Sequence, residues 1–375
     1  MSNVPNYEQW GKMNDYLNNI AVSLGTNIDT SDWEGVQRAV RLGLGSDLFP
    51  IGSQLMVNHS VYGERPYTVV AHDYFKSPDK KNAHTMTLMS NHLITAMPFD
   101  GGEAFYYADE GLSPGFHLFT LAESFYAWEA GTYKFTLTRS IPEGGQLCIE
   151  GSTDSPLTSA KVVAYESGTS TTKGESCVIE RSTAGENLGT FGVELNHIQR
   201  VAFGSNNYKE SAIRQFLNSA SGAGSVWTPQ TKFDRPPAWV SNTAGFMNGL
   251  DSDFSKIIGE VIVPCAANST YESPDSSTKK GEKYTVLDKF CIASQMELFG
   301  HSTDAPTDDS TLLPYYKGAV NADRIKYKDG VAKNWWTRTP NKWSAYVAHI
   351  IQPDGDLRHG SALYDVGCVP VCTIV

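Results

Sequence analysis

Four of the nine histidines, His59, His72, His84 and His92, crowd into one short stretch, and imidazole is the commonest side-chain ligand for a protein-bound transition metal. Their spacings follow no compact zinc pattern, so the sequence assigns them no metal and expects ordinary core or surface rings. Three acidic stretches, Asp251-Ser252-Asp253, Asp304 to Asp309 and Asp354-Gly355-Asp356, offer oxygens of the kind calcium takes. None keeps the calcium loop's alternating ligands and closing Glu. Asp354-Gly355 reads better as a hairpin turn and Asp308-Asp309 as a solvated loop. There is no Gly-x-Ser-x-Gly elbow, no His-Glu-x-x-His and no phosphate loop; Gly43-Leu44-Gly45-Ser46 closes a helix and does not open one. Paired carboxylates for glycoside hydrolysis depend on a separation set by the fold, and no pair stands out. These patterns point away from an enzyme: no catalytic residue, metal or cofactor is expected.

Six cysteines, Cys148, Cys177, Cys265, Cys291, Cys368 and Cys372, form no Cys-x-x-Cys pair and are too sparse for a disulfide scaffold, which predicts buried free thiols. Cys368 and Cys372 read as residues of one strand, on one face and too far apart to bridge. Thirty Lys and Arg against 41 Asp and Glu leave a net charge of −11 with no basic cluster, which argues against nucleic acid as a partner. No apolar run nears the roughly 20 residues of a membrane span, so no membrane insertion is expected. The opening Met1 to Tyr7 has neither the basic nor the apolar region of a signal peptide. In that light Asn58-His59-Ser60 and Asn268-Ser269-Thr270 carry no glycosylation meaning.

The elements that must position any site are mostly short β runs broken by Gly, Asn, Asp and Ser, in a chain of 375 residues with 33 Gly, 18 Tyr, 16 Phe and 8 Trp. That profile suits a loop-rich protein displaying side chains for recognition. Residues 1–45 differ. Trp10, Met13, Leu17, Ile20 and Leu24 make an apolar stripe along a helix, a seam for a homo-oligomer or for packing on a neighbour. Ser31-Asp32-Trp33-Glu34 starts a second helix that ends at Gly43. Residues 101–184 read as a small inserted β-sandwich, with strands at 115–121, 131–138, 146–149, 160–165 and 176–180. Asn207-Tyr208-Lys209-Glu210 reads as the cap of a helix with Ala212, Ile213, Phe216 and Leu217 inward. A helix over 254–258, a mobile polar loop over 267–284, and a β ending with a Pro353-Asp354-Gly355 turn complete the pattern.

The stretch Asn334-Trp335-Trp336-Thr337-Arg338-Thr339-Pro340, then Asp354-Gly355, then Val366-Gly367-Cys368-Val369-Pro370 resembles the ending of a large family of bacterial and prophage proteins. That family includes the variable proteins of diversity-generating retroelements, which have a C-type-lectin-like fold. Phe49 to Gln54 with Val70 to Asp73 resembles the domain's opening hairpin, and Phe203 to Ser219 its main helix. Gly245 to Leu250 and Asp323 to Tyr327 are similar to segments of gut-phage members. The chain departs from the family at Cys368-Val369-Pro370, where many members carry Arg after Gly-Val, so any contact of that Arg is missing here.

The resemblance implies an α+β chain: a C-type-lectin-like domain over 46–100 and 185–375, the insertion 101–184, and the helical segment 1–45. It implies a non-enzymatic protein binding a host-surface protein or glycan, located in a phage virion or in the bacterial cytoplasm before assembly. The binding face would come from 341–365, displaying Trp343, Tyr346, His349, Asp356, Arg358, His359, Ser361 and Tyr364. All of these but Trp343 are reachable by adenine change from Asn codons, whereas Lys342, Trp343 and Gln352 need a purine third base. Trp336, Val369 and Val371 should be buried beneath that face, and Arg338 should pair internally. Two other readings stay open. One is an enzyme on the same fold, like formylglycine-generating enzymes, using Cys368 or Cys372; the other is a purely structural virion protein.

Overall fold

A strand buried at every position needs cover on both faces, and Met86–Ser90 is such a strand. It sits at the centre of a five-stranded antiparallel sheet ordered Gln54–Val57, Arg65–His72, Met86–Ser90, Val371–Ile374, Phe290–Cys291. A second five-stranded sheet runs Leu357–Ser361, Val347–Ile351, Trp335–Pro340, Val366–Cys368, Thr95–Met97, with Val366–Cys368 parallel to Trp335–Pro340. Strands from before residue 100 and after residue 290 therefore share both sheets. The computed structural model describes residues 29–78, 84–151, 155–182, 190–268 and 282–375. The Trp10 to Leu24 stripe and most of the polar 267–284 loop lie outside them.

One large core fills the body and includes Trp335, Trp336, Phe99, Tyr208, Phe254 and Val371. Helix Trp33–Arg41 is capped by the Asp32 carboxylate, which accepts from the Gly35 N–H at 2.7 Å, and the chain turns out of it at Gly43 with φ +77°. It is tied to the chain's last carbonyl: Gln37 Nε2 donates to Val375 O at 2.7 Å and Arg41 Nε at 3.1 Å.

Residues 105–201 carry a separate core under two four-stranded sheets. One is ordered Ser176–Val178, Lys161–Tyr165, Gln146–Glu150, Tyr106–Tyr107. The other is Glu180–Arg181, Gly131–Leu137, Gly115–Leu121, Thr190–Val193. Its last strand lies past residue 184 and runs parallel to Gly115–Leu121. Tyr346 and Val347 of the body also join this second core.

The stretch 203–219 is not one helix. Helix Leu195–Phe203 stops at Gly204, whose φ is +78° and where a Cβ would come 2.3 Å from Gly101 O, so only glycine fits. A 3₁₀ turn at Tyr208–Glu210 and a short helix, Ala212–Asn218, follow. The cap of that helix is the Ser211 hydroxyl, not Asn207, although Ala212, Ile213, Phe216 and Leu217 are buried as their spacing predicts. Cys368 and Cys372 fall in different sheets because Val369-Pro370 carries the chain from one to the other; Pro cannot donate to a ladder and marks the break. All six cysteines are unpaired. The fold is α+β, mostly sheet with a few short helices, and among the described residues no helix is long and apolar enough to cross a membrane.

Candidate functional site

The strand Trp335–Pro340 is buried at all six positions, and its polar groups are matched one by one. Trp335 Nε1 donates to Arg324 O at 3.0 Å, Trp336 Nε1 to Met97 O at 2.9 Å, and Thr337 Oγ1 to His349 O at 3.0 Å. Arg338 is wholly buried and grips Glu297 with both terminal nitrogens, at 2.7 and 2.5 Å. It also donates to Ser310 Oγ, Ile292 O and Pro264 O. A planar guanidinium matches a carboxylate in this two-bond geometry, and the surrounding acids hold the group charged despite burial. Arg338 is thus an internal anchor, pinning the strand to the helix Gln295–Phe299.

The loop after this strand is clamped from below. The Asn206 amide is completely buried and donates to Ser344 O at 2.7 Å, Val347 O at 2.8 Å and Asn341 O at 3.3 Å. Asn268 Nδ2 adds a bond to Ser344 O at 3.0 Å. On the outside, Trp343 is 69% exposed, with its indole N–H directed to Asp304 Oδ1 at 3.3 Å and the Lys342 ammonium 4.6 Å from its ring centre. Asp304 O also accepts from Lys342 N and meets His349 Nε2 at 3.1 Å. Asp304 has φ +51°, an uncommon backbone state for a residue other than glycine.

Beyond the loop, Val347–Ile351 and Leu357–Ser361 form a hairpin through the expected Asp354-Gly355 turn. Gly355 has φ +80°, and a Cβ there would lie 1.8 Å from Asn321 O. His349 pairs with His359, so both rings face the Asp304 side, while Arg358 faces the opposite side beside Gln352 and Asp356.

The eight expected display residues therefore divide. Trp343, Arg358, His359 and Tyr364 are exposed, and Asp356 is half-buried. Tyr346, His349 and Ser361 are buried, which corrects their expected exposure. Tyr346 stacks on Phe203 at 4.6 Å and meets Phe125 edge-on at 6.0 Å, because the inserted sheets cover the start of this segment. His349 is shut in by Asp304 and its own hairpin, and Ser361 by its pairing with Val347. Arg358 and His359 lie on opposite faces, as adjacent strand residues must, so the exposed set is not one flat patch. Trp336, Val369 and Val371 are buried as expected.

Three contributors escaped the sequence: Asp304 and Asn206, which act through tertiary contact, and Tyr126. Tyr126 is 67% exposed at φ +51° on a loop of the inserted sheets, with its hydroxyl 3.3 Å from that of Tyr346. The local signals were slight: Asn206-Asn207 is a turn-prone dipeptide, and Asp304 opens an acidic stretch whose spacing pointed only to a solvated loop.

The residues read for other chemistry have structural partners. His59 contacts Phe246 O at 2.7 Å and accepts from two backbone N–H groups. His84 pairs with Asp73 at 3.0 Å, and Asp251 caps the helix Ser252–Ile257. Among the described residues no three His, Cys, Asp or Glu side chains gather as metal ligands. Burial pushes the Cys368 and Cys372 thiols far above the ordinary range.

The surface stands on an α+β, largely antiparallel protein. Residues 178–375 match a family described as a domain of unknown function, DUF6273, and the chain belongs to that family. No curated protein and no solved structure matches the chain.

Proposed function

We propose that this chain is a non-enzymatic receptor- or ligand-binding protein of a phage or prophage, a variable protein presenting 341–365 on a C-type-lectin-like scaffold. The observation that carries this reading is the contrast within one segment. Trp335–Pro340 is fully buried with matched polar groups, and Trp343, Arg358, His359 and Tyr364 stand in solvent shortly after it. A rigid frame beneath exposed aromatic and cationic side chains lets the surface change without disturbing the core. The expected partner is a host-surface protein or glycan, and the setting a virion, with the N-terminal stripe available for homo-oligomers. The enzyme alternative loses weight because a nucleophilic cysteine must reach the thiolate, and burial opposes that at Cys368 and Cys372.

The test is a pull-down of intact host-type bacterial cells with wild-type chain and with the Trp343→Ala, Tyr364→Ala double variant. Wild type should bind. The variant should lose about 2 kcal/mol or more of binding, the scale of interface hot spots. Its stability should change by only about 0.5 kcal/mol per substitution. Equal binding by both chains overturns the reading. A near-copy of the gene's 3′ end differing at adenines, beside a reverse transcriptase, would supply the retroelement part.

A further inference from the structure

An open cleft of about 510 Å³ lies on the seam between the inserted sheets and the body, within the size range of small-molecule sites. One wall is the edge strand Tyr106–Tyr107 with the loop Ser167–Thr169; the other is the body loop 229–232. Buried polar side chains hold both walls in place. Gln146 is 1% exposed and donates to Lys232 O at 2.7 Å and Asp234 O at 3.1 Å, while its carbonyl accepts from Arg235 at 2.9 Å. Arg235 lies over the Tyr165 ring at 3.6 Å and donates to Ser167 O and Ser170 O, fixing the first loop. Asp234 accepts from Gln230 N, Thr231 N and Thr231 Oγ1, fixing the second. A seam with no ligand would gain by closing on itself. This one is kept open by a satisfied polar network, which is how a preorganised site is built.

The lining narrows the ligand. Pro229 is its one aliphatic side chain, so the cleft has no aliphatic wall for a lipid chain to lie along, and its apolar surface is an aromatic ring among polar side chains. Of the two nearby cations, Arg235 is already engaged by Gln146 and two carbonyls. Lys232 is paired with the exposed Asp109 at 3.1 Å, which offsets the cleft's charge for a phosphate or dicarboxylate while leaving the ammonium further N–H groups to donate. The polar lining is the Tyr107 ring and hydroxyl, the Ser167 and Thr169 hydroxyls, which lie 3.4 Å from each other, the Gln230 amide, whose Nε2 donates to Thr228 O at 3.1 Å and leaves its oxygen to accept, and the Lys232 ammonium, held 5.3 Å from the Tyr107 ring centre. Mixed donors and acceptors around an aromatic ring suit a molecule with hydroxyl edges and a C–H face. We propose that this cleft binds a short neutral oligosaccharide, at a site separate from the 341–365 surface and independent of the reading given to it.

The test is calorimetric titration of the full chain with maltotriose, cellotriose, chitotriose (as the triacetyl form), mannotriose and, as the acidic counterpart, trigalacturonate. At least one neutral trisaccharide should bind, and Tyr107→Ala should weaken it by about tenfold or more. If Tyr107→Ala fails to fold, the Ser167→Ala, Thr169→Val pair on the partly exposed loop should give the same loss with an unchanged melting curve. The proposal is overturned if no neutral trisaccharide binds, if only trigalacturonate binds, or if folded variants bind as well as wild type.

Discussion

Tyr346 and Tyr364 are one residue type on one segment, and their surroundings separate their roles. Tyr364 is 59% exposed, whereas Tyr346 is wedged between Phe203 and Phe125, where burial lifts its phenol above the ordinary range. Removing a buried aromatic ring leaves a cavity, so Tyr346→Ala should lose about 3 kcal/mol or more in urea unfolding. Tyr364→Ala should stay within about 0.5 kcal/mol. Equal effects would mean that the seam around Tyr346 is loose. Lys326 is a second residue whose setting decides its chemistry. Its ammonium is buried with Ser90 O as acceptor at 2.8 Å, and desolvation lowers its pKa from 10.5 to about 7. A base whose folded pKa is depressed is a full burden at and below that pKa, and the burden fades as pH rises to the unfolded value. Lys326→Met should therefore melt higher than wild type at pH 7, an effect on the order of 4 kcal/mol before the lost hydrogen bond is set against it. That advantage should shrink toward pH 10. An advantage independent of pH would show that the lysine keeps its proton in the fold.

At the level of elements, the loop 341–347 is held by side-chain amides from other parts of the chain, Asn206 making three bonds to it and Asn268 one. Asn206→Ala would remove a donor from three carbonyls; Ser344 O keeps Asn268 Nδ2 and Val347 O keeps Asn341 N, so Asn341 O bears the loss, at about 1–3 kcal/mol for an unsatisfied buried group. Hydrogen exchange should speed up first at the amides of 341–347, ahead of those in Met86–Ser90. Uniform acceleration would mean that Asn206 supports the whole fold and not this loop. The same distinction between local and distant interactions explains what could be read in the sequence. Helix Trp33–Arg41, the Asp354-Gly355 turn and the strands of 115–165 are specified by caps, turn residues and period-2 alternation within a few positions. The burial of Trp336, Val369 and Val371 was legible from the resemblance of the ending and from the need of a β segment for large apolar anchors. Tyr346 and His349 were not, because what covers them comes from Phe203, Phe125 and Asp304, far away along the chain. The stretch 203–219 misled for a related reason: its helical spacing is real on both sides, but Gly204 must pass Gly101 and Asn206 must reach the loop.

For the whole molecule, the seam between inserted sheets and body is both where the cleft lies and where charge is buried. Four carboxyl groups, Asp100, Glu103, Glu210 and Asp234, gather about Arg200. Arg200 bonds Glu103 at 2.7 Å and Glu210 at 2.5 Å, and Asp100 accepts from the Ser205 and Ala212 N–H groups at 3.1 Å. One guanidinium does not neutralise four acids out of water. Burial, reinforced by Glu210 and Asp234 and opposed by Arg200, raises the Glu103 carboxyl from 4.5 to about 7. A carboxyl with a raised folded pKa stabilises most below its unfolded value, and that contribution is lost as pH climbs through the folded one. The difference in unfolding free energy between wild type and Glu103→Gln should thus fall from about pH 4.5 to 7, by on the order of 3 kcal/mol, and then level off. The difference is the quantity to measure, since His197, on the same helix as Arg200, works in the opposite direction. Its burial, with Arg200 nearby, lowers it to about 4, so it favours the fold increasingly from there to 6.5 in both chains. A flat difference from pH 4.5 to 8 would mean that Glu103 is ionised throughout as the partner of Arg200.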